Sequence, residues 1–335
     1  AGNDFNRVNI LFSRNATLTD SNAIVLYGNS YRSDIRGDLS VTADGAITDD
    51  SSSNFSSYYI DVDGTATLDA GSTNNITLDN VYNRWNIVEI PAANNVVLNP
   101  YSSLIFGDAT IAGTLYSDSL VGGTLTQLAS TSISTGDTTS FFDYTSGITL
   151  DAAGNVFGDL ALDDYGTAAI REDDAITQAS AWDDSSPVSL TTSDDQAITL
   201  DQANDLGALT ITQLNDGALS AGAVLVRETN DTDGLTQGGA WTTNGTVQLD
   251  TGIRSIALTD PDNILGPLQV TGATSGGSSN VTIYARETAT TEAITDVGST
   301  GAWNTGSGWK LQALSASQSC PWLLMNFKAL SILLK

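Results

Sequence analysis

The chain has 335 residues, of which 40% are hydrophobic and only 15% charged, and its formal net charge is −27 at pH 7. Such an acidic surface repels phosphate backbones, which argues against nucleic-acid binding. The sequence contains no histidine, which excludes Ser-His-Asp and Cys-His catalysis within this chain. Cys320 is the only cysteine, which excludes an internal disulfide and a cysteine-ligated metal site.

One phrase recurs along the chain. It reads Ile-Thr-Leu or Ile-Ala-Leu, then about four residues, an asparagine, two more residues, often a glycine, and an alternating apolar stretch. The opening stretch AGNDFNRVNILF matches the second half of the phrase, with Asn3 and Phe5. The complete copies ITLDNVYNRWNIVEI, ITLDAAGNVFGDLAL, ITLDQANDLGALTI and IALTDPDNILGPLQV carry Asn83, Asn155, Asn204 and Asn263, respectively.

Shorter words keep a fixed order between these copies, and the first unit has its own version, GDLSVTADGAITD, at 37–49. In order, the words are an Arg-Glu pair (Arg171-Glu172, Arg227-Glu228, Arg286-Glu287), an Ile/Leu-Thr word (Ile176, Leu235, Ile294), a tryptophan (Trp182, Trp241, Trp303) and a short apolar alternation (188–190, 247–249, 309–311). Fixed order with uneven spacing indicates strands that must stack and loops that vary in length.

Apolar residues alternate in short runs, as at Leu160-Ala-Leu162, which is typical of strands with one inward face. Hairpin signals are weak, and no unit is large enough to close its own core, so a solenoid is favoured over an array of sandwiches. The sequence therefore predicts an all-β, right-handed parallel β-helix (β-solenoid). At about 20–30 residues per turn, we expect roughly 11–16 turns.

These words resemble the repeats of filamentous-haemagglutinin-type large secreted exoproteins and adhesins. The resemblance rests on AGNDF, GDLSVTADGAITD, ITLDAAGNVFGDLAL and AITQASAW, and it extends over about residues 1–311. It implies a right-handed parallel β-helix, secretion, display at a bacterial cell surface, and adhesion or filament formation without catalysis. The family's amino-terminal secretion domain does not appear in this sequence, and the Arg-Glu word has no counterpart in the usual repeat.

We expect one continuous β-solenoid over residues 1–311, in five imperfect repeats: 1–75 (truncated), 76–147, 148–197, 198–255 and 256–311. Because the chain opens in mid-phrase, we expect it to be part of a longer rod or to stack on another copy. Residues 312–335 form an apolar tail, for which a cap, a membrane-surface or partner-docking segment, and an unrelated sequence are the alternatives. Its apolar run, 322–334, is too short to span a bilayer, so no membrane span is predicted.

Three sets of residues are candidates for chemistry, and each has a structural alternative. The Arg-Glu pairs could line up as a ligand-binding row, or they could place their charges on opposite faces of a strand. The recurrent tryptophans could form a platform for sugars, or they could fill corners of the solenoid. Asp61, Asp63 and Gly64, with Asp69, resemble the start of a calcium loop, but acidic turns exposed to solvent are the simpler interpretation.

The function predicted from these features is a non-catalytic extracellular structural and adhesive rod, a part of a larger bacterial surface adhesin or filament. A glycan-cleaving β-helix enzyme and a calcium-dependent surface-layer or matrix protein are the alternatives. No catalytic or cofactor-binding residue is assigned, and calcium is the one cofactor kept as an alternative. The expected partners are other copies of the chain or the rest of a longer chain, with cell-surface glycans or proteins as further candidates.

Overall fold

The computed structural model describes residues 3–27, 32–50, 58–193, 196–214, 222–229, 234–252, 254–266, 268–271, 281–287 and 309–315. Within these ranges all the regular secondary structure consists of β-strands, and the paired strands run parallel to each other. The described residues form an all-β, parallel β-solenoid of about 11 turns. The predicted fold class is therefore confirmed, and the right-handed sense of winding stays a prediction.

The chain divides into two compact units, Ala1–Glu172 and Asp173–Lys335. The strands of unit 1 are β1 (Arg7–Val8), β2 (Ala16–Asp20), β3 (Ile24–Leu26), β4 (Ser33–Ile35), β5 (Leu39–Ala43), β6 (Ile47–Asp49), β7 (Ile60–Asp69), β8 (Ile76–Ala93), β9 (Val96–Pro100), β10 (Leu104–Ile111), β11 (Leu115–Asp118), β12 (Thr124–Gln127), β13 (Ile133–Thr135), β14 (Thr139–Phe142), β15 (Gly147–Leu150), β16 (Leu160–Asp163) and β17 (Ala168–Glu172).

The strands of unit 2 are β18 (Ile176–Thr177), β19 (Val188–Thr192), β20 (Ile198–Asn204), β21 (Ala208–Gln213), β22 (Val224–Glu228), β23 (Leu235–Gln237), β24 (Val247–Asp250), β25 (Ile256–Leu258), β26 (Leu268–Thr271), β27 (Val281–Glu287) and β28 (Trp309–Ser315). Strand β28 pairs with β27 and includes the first four residues of the segment expected to be the tail. Residues 316–335, together with Ile294 and Trp303, lie outside the described residues.

The core of unit 1 consists of inward positions that repeat on consecutive turns. Along one such row each residue is the parallel partner of the one before it, and all of them are fully buried: Ile24, Ile47, Ile76, Val96, Leu115, Thr139 and Leu160. Burying an aliphatic side chain contributes about 1.5–3 kcal/mol. Because the turns above and below supply the covering atoms, no turn buries its apolar face alone.

Unit 2 repeats this arrangement. The Ile-Thr-Leu word of β20 places Ile198 beside Val224, and the next turns add Val247 and Leu268 at the same position. These four side chains are buried, whereas the intervening Thr199 and Gln248 alternate to the outer face. The period of two that the sequence shows therefore corresponds to the inner and outer faces of stacked strands.

The glycine of the recurrent phrase lies where two turns approach each other closely. A Cβ on Gly158 would lie 1.8 Å from the carbonyl oxygen of Asp137 on the preceding turn. Gly207 and Gly266 hold the same place in the phrase, three residues after the asparagine, and they meet the backbone of the preceding turn in the same way. The glycine recurs because the stacking distance leaves no room for a side chain there.

Candidate functional site

The asparagines of the four complete copies of the phrase form buried side-chain pairs that we call amide clamps, whereas Asn3 of the truncated copy is exposed. Each of these four asparagines is fully buried. Its side chain forms a hydrogen bond with the residue that directly follows an Ile-Thr or Leu-Thr pair on an earlier turn. The four pairs are Asp49–Asn83, Gln127–Asn155, Gln178–Asn204 and Gln237–Asn263. The asparagine Oδ1 also accepts a backbone N–H, from Ile60, Ile133, Trp182 and Trp241, respectively.

The clamp of Asn204 shows how completely the amide is used. Its Oδ1 accepts from Gln178 Nε2 at 2.9 Å and from the backbone N–H of Trp182 at 2.9 Å. Its Nδ2 donates to Gln178 Oε1 at 3.2 Å and to the carbonyl oxygen of Arg227 at 2.9 Å. An amide has two donors and one acceptor oxygen, so both of its ends are satisfied across three neighbouring turns.

Asp49 occupies the position that glutamine holds in the other clamps. Its Oδ2 accepts from the backbone N–H of Asn80 at 3.0 Å and from Asn83 Nδ2 at 2.6 Å. Burial raises the pKa of Asp49 to about 7, while these two hydrogen bonds lower it and the nearby carboxylate of Asp79 raises it further. The first clamp therefore carries a proton at mildly acidic pH, where its carboxyl group resembles the amide of the other clamps.

The Arg-Glu word places its two charges on opposite faces of the strand. Glu172 and Glu228 are fully buried, and each accepts the backbone N–H of the residue two places after a clamp asparagine. Arg227 points outward, with its Nε 3.7 Å from Asp250. The structural interpretation is confirmed for Arg227-Glu228, and the side chains of the last pair, Arg286-Glu287, lie outside the described residues.

The tryptophans face inward, which overturns the sugar-platform alternative for two of them. Trp182 and Trp241 are fully buried, and Trp241 Nε1 donates to the carbonyl oxygen of Leu209 at 2.8 Å. Small residues precede both tryptophans, Ser180-Ala181 before Trp182 and Gly239-Ala240 before Trp241, so the flanking positions leave room for an indole to enter the core. The words that recur in the sequence are thus mainly interior parts of the solenoid.

The surface of unit 1 carries a cluster that no recurrent word marks. We call it the Arg–Tyr patch, and it comprises Arg32, Asp34, Arg36, Tyr59, Asp61, Asp63, Tyr82, Arg84 and Tyr101. Arg32 bridges two turns, donating to Asp34 at 3.0 Å, to Asp61 at 2.6 Å and to the Tyr59 hydroxyl at 3.3 Å. Strand pairing between β4 and β7 sets this contact, because Asp34 and Asp61 are direct partners.

The next turns of the patch add arginine–aromatic contacts. The guanidinium of Arg84 lies 5.3 Å from the Tyr59 ring centre and 4.7 Å from that of Tyr101. Tyr82 stacks on Tyr101 with ring centres 6.3 Å apart and an interplanar angle of 24°. Cation–π contacts within about 6 Å fix the planes of both partners. The patch therefore presents ordered rings and guanidinium groups to solvent.

The charges of the patch balance. Arg32 and Arg36 pair with the three carboxylates of Asp34, Asp61 and Asp63, and Arg84 is the strand partner of Asp61. Burial raises the pKa of Asp61, while Arg32 lowers it, Asp63 raises it and Arg84 lowers it. The patch is thus locally neutral on a chain whose net charge is −27.

The calcium interpretation of Asp61 and Asp63 is not supported by their partners. Asp61 engages Arg32 and Asp63 lies 3.8 Å from Arg36, while Asp69 accepts the backbone N–H of Gly71 on another stretch. Among the residues that the structure describes, no three acidic or cysteine side chains are grouped so that they could hold a metal ion. The same part of the chain contains no helix with the length and apolarity needed to cross a membrane.

A family model described as repeats of unknown function (DUF5649) matches residues 13–89, 93–163 and 207–271, which together are more than half of the chain. The chain belongs to this DUF5649 repeat family. No curated protein and no solved structure matches the chain significantly.

The DUF5649 matches contain three of the four clamps and the whole Arg–Tyr patch, and they leave out the clamp of Gln178 and Asn204. Asn83, Asn155 and Asn263 lie inside matched segments, and so do all members of the Arg–Tyr patch. The sequence pointed to the clamp asparagines through their recurrence. It also held the signal for their partners, because the third residue of the Ile/Leu-Thr word is Gln178 in one copy and Gln237 in another.

Proposed function

We propose that this DUF5649 repeat solenoid is a non-catalytic structural and adhesive element of an extracellular bacterial protein. The observation that carries the proposal is the Arg–Tyr patch, because it is a partly exposed, ordered set of side chains that strand pairing holds at the surface of the solenoid. Arginine and tyrosine are enriched at recognition surfaces, where they combine large contact area with fixed hydrogen-bond geometry.

Three further features support an extracellular setting. The outer faces of the strands carry Thr, Ser and Asn in place of Lys and Glu, and the net charge of −27 favours solubility. The repeat words resemble those of filamentous-haemagglutinin-type secreted exoproteins. Continuous backbone pairing between turns also resists local opening and hence proteolysis, which is useful outside the cell.

The proposed partners are cell-surface glycans or proteins that bind the patch, together with further solenoid turns from other copies or from the same polypeptide. Stacked turns supply stiffness, and the patch supplies contact. In this view the amide clamps have no ligand of their own, since they bond within the interior.

Two measurements test the proposal. Antibody labelling of intact producing cells should reach the solenoid without permeabilisation, and labelling that requires lysis would contradict an extracellular role. Beads coated with the purified protein should adhere to cell surfaces, and the double substitution Arg84→Ala/Tyr101→Ala should reduce adhesion.

The matched control for adhesion is Arg7→Ala/Tyr27→Ala. It removes another cation–π pair of unit 1, with the Arg7 guanidinium 4.5 Å from the Tyr27 ring, outside the patch. Equal loss of adhesion in both double variants would point to general surface effects and would contradict a role for the patch. Release of new sugar ends from bound material would instead favour a glycan-cleaving enzyme.

A further inference from the structure

The Arg–Tyr patch forms the middle of an axial column on successive turns of unit 1. Strand pairing places Asp34, Asp61 and Arg84 at the same position on three of these turns. On the next turn the backbone N–H of Tyr101 donates to the carbonyl oxygen of Asn83, directly before Arg84, at 2.7 Å. Four turns of the column therefore carry an acid, an acid, a base and an aromatic ring, in that order.

One end of the column carries an exposed apolar pair on the turn before Asp34. The backbone groups that flank Leu11 and Phe12 both bond to the backbone of Asp34, at 2.9 Å. Two residues thus stand opposite one, so they bulge outward. Leu11 is 62% exposed and Phe12 is 70% exposed.

The other end of the column carries a second exposed apolar pair. The backbone N–H of Val121 donates to the carbonyl oxygen of Tyr101 at 3.2 Å, which puts Val121 on the turn after Tyr101. Val121 is 56% exposed, and its neighbour Leu120 is 44% exposed. The column therefore extends over six turns, a length of roughly 24 Å at about 4.8 Å per turn, and it is apolar at both ends.

The middle of the column has charges that can take a further partner. Arg84 is exposed and takes part in no ion pair of the described residues, because its guanidinium lies over the rings of Tyr59 and Tyr101. On the preceding turn, 54% of the Asp63 side chain is exposed, and its carboxylate lies 3.8 Å from Arg36. A positive and a negative group are thus open to solvent beside each other.

A second copy turned end over end matches the column. A twofold axis that crosses the column between the turns of Asp61 and Arg84 sets each turn opposite its counterpart in reverse order. The apolar ends then meet, with Leu11 and Phe12 of each copy facing Val121 of the other. Burial of these four exposed apolar pairs favours association.

The charges favour this antiparallel arrangement over a parallel one. With the copies antiparallel, Arg84 of each copy faces Asp61 and the more exposed Asp63 of the other, so opposite charges alternate around the axis. With the copies parallel, each turn would face itself, and like charges would repel. Because the patch is locally neutral, two chains of net charge −27 also meet less repulsion there than over an acidic face.

The size of the column sets the strength of this contact. At about 3.3 Å per residue, residues 32–36 span roughly 16 Å across the column, so the contact covers on the order of 400 Å² of each copy. A standard interface buries about 800 Å² per partner. We therefore expect a dissociation constant on the order of 0.1 mM, which suits a surface element present in many copies because simultaneous contacts reinforce each other.

We propose that the axial column is a homophilic interface, through which unit 1 of one chain pairs antiparallel with unit 1 of a second copy. This inference rests on the proposed function in that it names a second copy of the chain as a partner of the patch. Copies on two facing cells approach from opposite directions, which antiparallel pairing accommodates.

The test is sedimentation velocity of the full chain at concentrations from about 5 to about 500 µM, a range that brackets the expected dissociation constant. We expect the native chain to shift from monomer towards dimer across this range. Asp63→Arg and Arg84→Asp should each weaken the dimer about tenfold or more, because each sets like charges opposite each other. An equimolar mixture of the two variants should restore dimers, because the exchanged charges then face each other across the twofold axis.

Two controls separate this contact from general surface effects. Asp44→Arg makes the same change of charge at an exposed bend outside the column and should dimerise like the native chain. Phe12→Ser should weaken the dimer, whereas Leu214→Ser, at an exposed apolar residue of unit 2, should not. Circular dichroism and the melting midpoint of each variant show that a loss of association is not a loss of folding.

The inference is overturned if the native chain stays monomeric, if the column variants dimerise like the native chain, or if the mixture of charge variants stays monomeric. If the native chain is monomeric while coated beads still adhere to cells through the patch, the homophilic inference fails and the proposed function stands. If the chain dimerises as described while the protein is found only inside cells, the proposed function fails and the homophilic inference stands.

Discussion

Asn204 connects three turns of unit 2 through one side chain. Its amide oxygen and nitrogen contact Gln178, Trp182 and Arg227 in a fully buried position. Water cannot replace these bonds when the side chain is removed, so the partners left behind lose their hydrogen bonds in a dry interior. The effect of a truncation should therefore be much larger than that of one exposed hydrogen bond.

We expect Asn204→Ala to lower the free energy of unfolding by about 3 kcal/mol, measured by urea titration. The control is Gln202→Ala on the same strand, whose side chain bonds to the exposed Asp201 at 3.0 Å. It should change the free energy of unfolding by less than about 0.5 kcal/mol. Similar effects of the two substitutions would contradict the structural role of the clamp.

Asp49 gives the first clamp a dependence on pH. Because burial raises its pKa from 3.8 to about 7, the folded state holds a proton that the unfolded state releases. The stabilisation by this proton is complete below about pH 4 and is lost as the pH rises through about 7. Asp49→Asn keeps the size of the side chain and should remove this loss.

We therefore expect Asp49→Asn to raise the free energy of unfolding at pH 8 by on the order of 3 kcal/mol and to leave it nearly unchanged at pH 4. Asp44→Asn, at an exposed bend directly after β5, is the control for the loss of one carboxylate from the surface. If denaturant titration shows the same dependence of the free energy of unfolding on pH for the native chain and for Asp49→Asn, this explanation is contradicted.

At the residue scale, recurrence in the sequence predicted the interior better than the surface. Repeated words pointed to Asn155 and Asn204 because the same clamp is built on several turns. The Arg–Tyr patch left no such signal, since Arg32, Tyr59 and Arg84 belong to no recurrent word and are far apart along the chain. Only the register of the stacked strands brings them together, and that register depends on loop lengths that the sequence does not reveal.

At the scale of the element, the distance between turns is fixed by backbone pairing and leaves little freedom at the corners. The Gly207 corner illustrates this, because an added Cβ would lie 2.6 Å from the carbonyl oxygen of Ser185. A turn can accept a side chain there only by moving away from its neighbour, which lengthens ladder hydrogen bonds and opens the core.

We expect Gly207→Ala to lower the melting midpoint markedly, with a loss of about 2 kcal/mol or more in the free energy of unfolding. Gly239→Ala is the control, because its Cβ would lie 3.4 Å from Thr210, an ordinary contact, at a half-buried bend of the same unit. A scanning-calorimetry comparison in which both variants melt like the native chain would refute the close-approach explanation of the recurrent glycine.

The strands themselves were well predicted where one face is apolar and the word is short. The alternations at 188–190 and 247–249 fall inside β19 and β24. The length of strand β8 was not expected, because apolar residues alternate only in short runs in the sequence, whereas this strand extends from Ile76 to Ala93. Continuous neighbours on both sides keep this stretch extended despite its polar residues.

At the scale of the whole molecule, the net charge of −27 makes the folded state sensitive to ionic strength. Raising the sodium chloride concentration from about 0.01 M to about 1 M shortens the range of charge repulsion roughly tenfold. We expect the melting midpoint to rise with salt, and calcium chloride at the same ionic strength to give a similar rise. A far larger rise with calcium, reversed by chelation, would favour the calcium-dependent alternative.

The stacking of parallel turns in register is the claim on which every other part of the account depends. In unit 1, Thr126 of β12 is the partner of Thr149 of β15, and Thr149 is in turn the partner of Ala169 of β17. Neighbouring strands lie about 4.8 Å apart, within the Cα separation of a disulfide, whereas strands two turns apart lie at about 9.6 Å, beyond it.

The most direct test is therefore disulfide formation in a Cys320→Ser background, read by mass spectrometry after alkylation of free thiols in denaturant. The account predicts that Thr126→Cys/Thr149→Cys closes a disulfide under mild oxidation and that Thr126→Cys/Ala169→Cys stays reduced. Free thiols in the first pair, or a disulfide in the second, would contradict the register and with it the stacked solenoid.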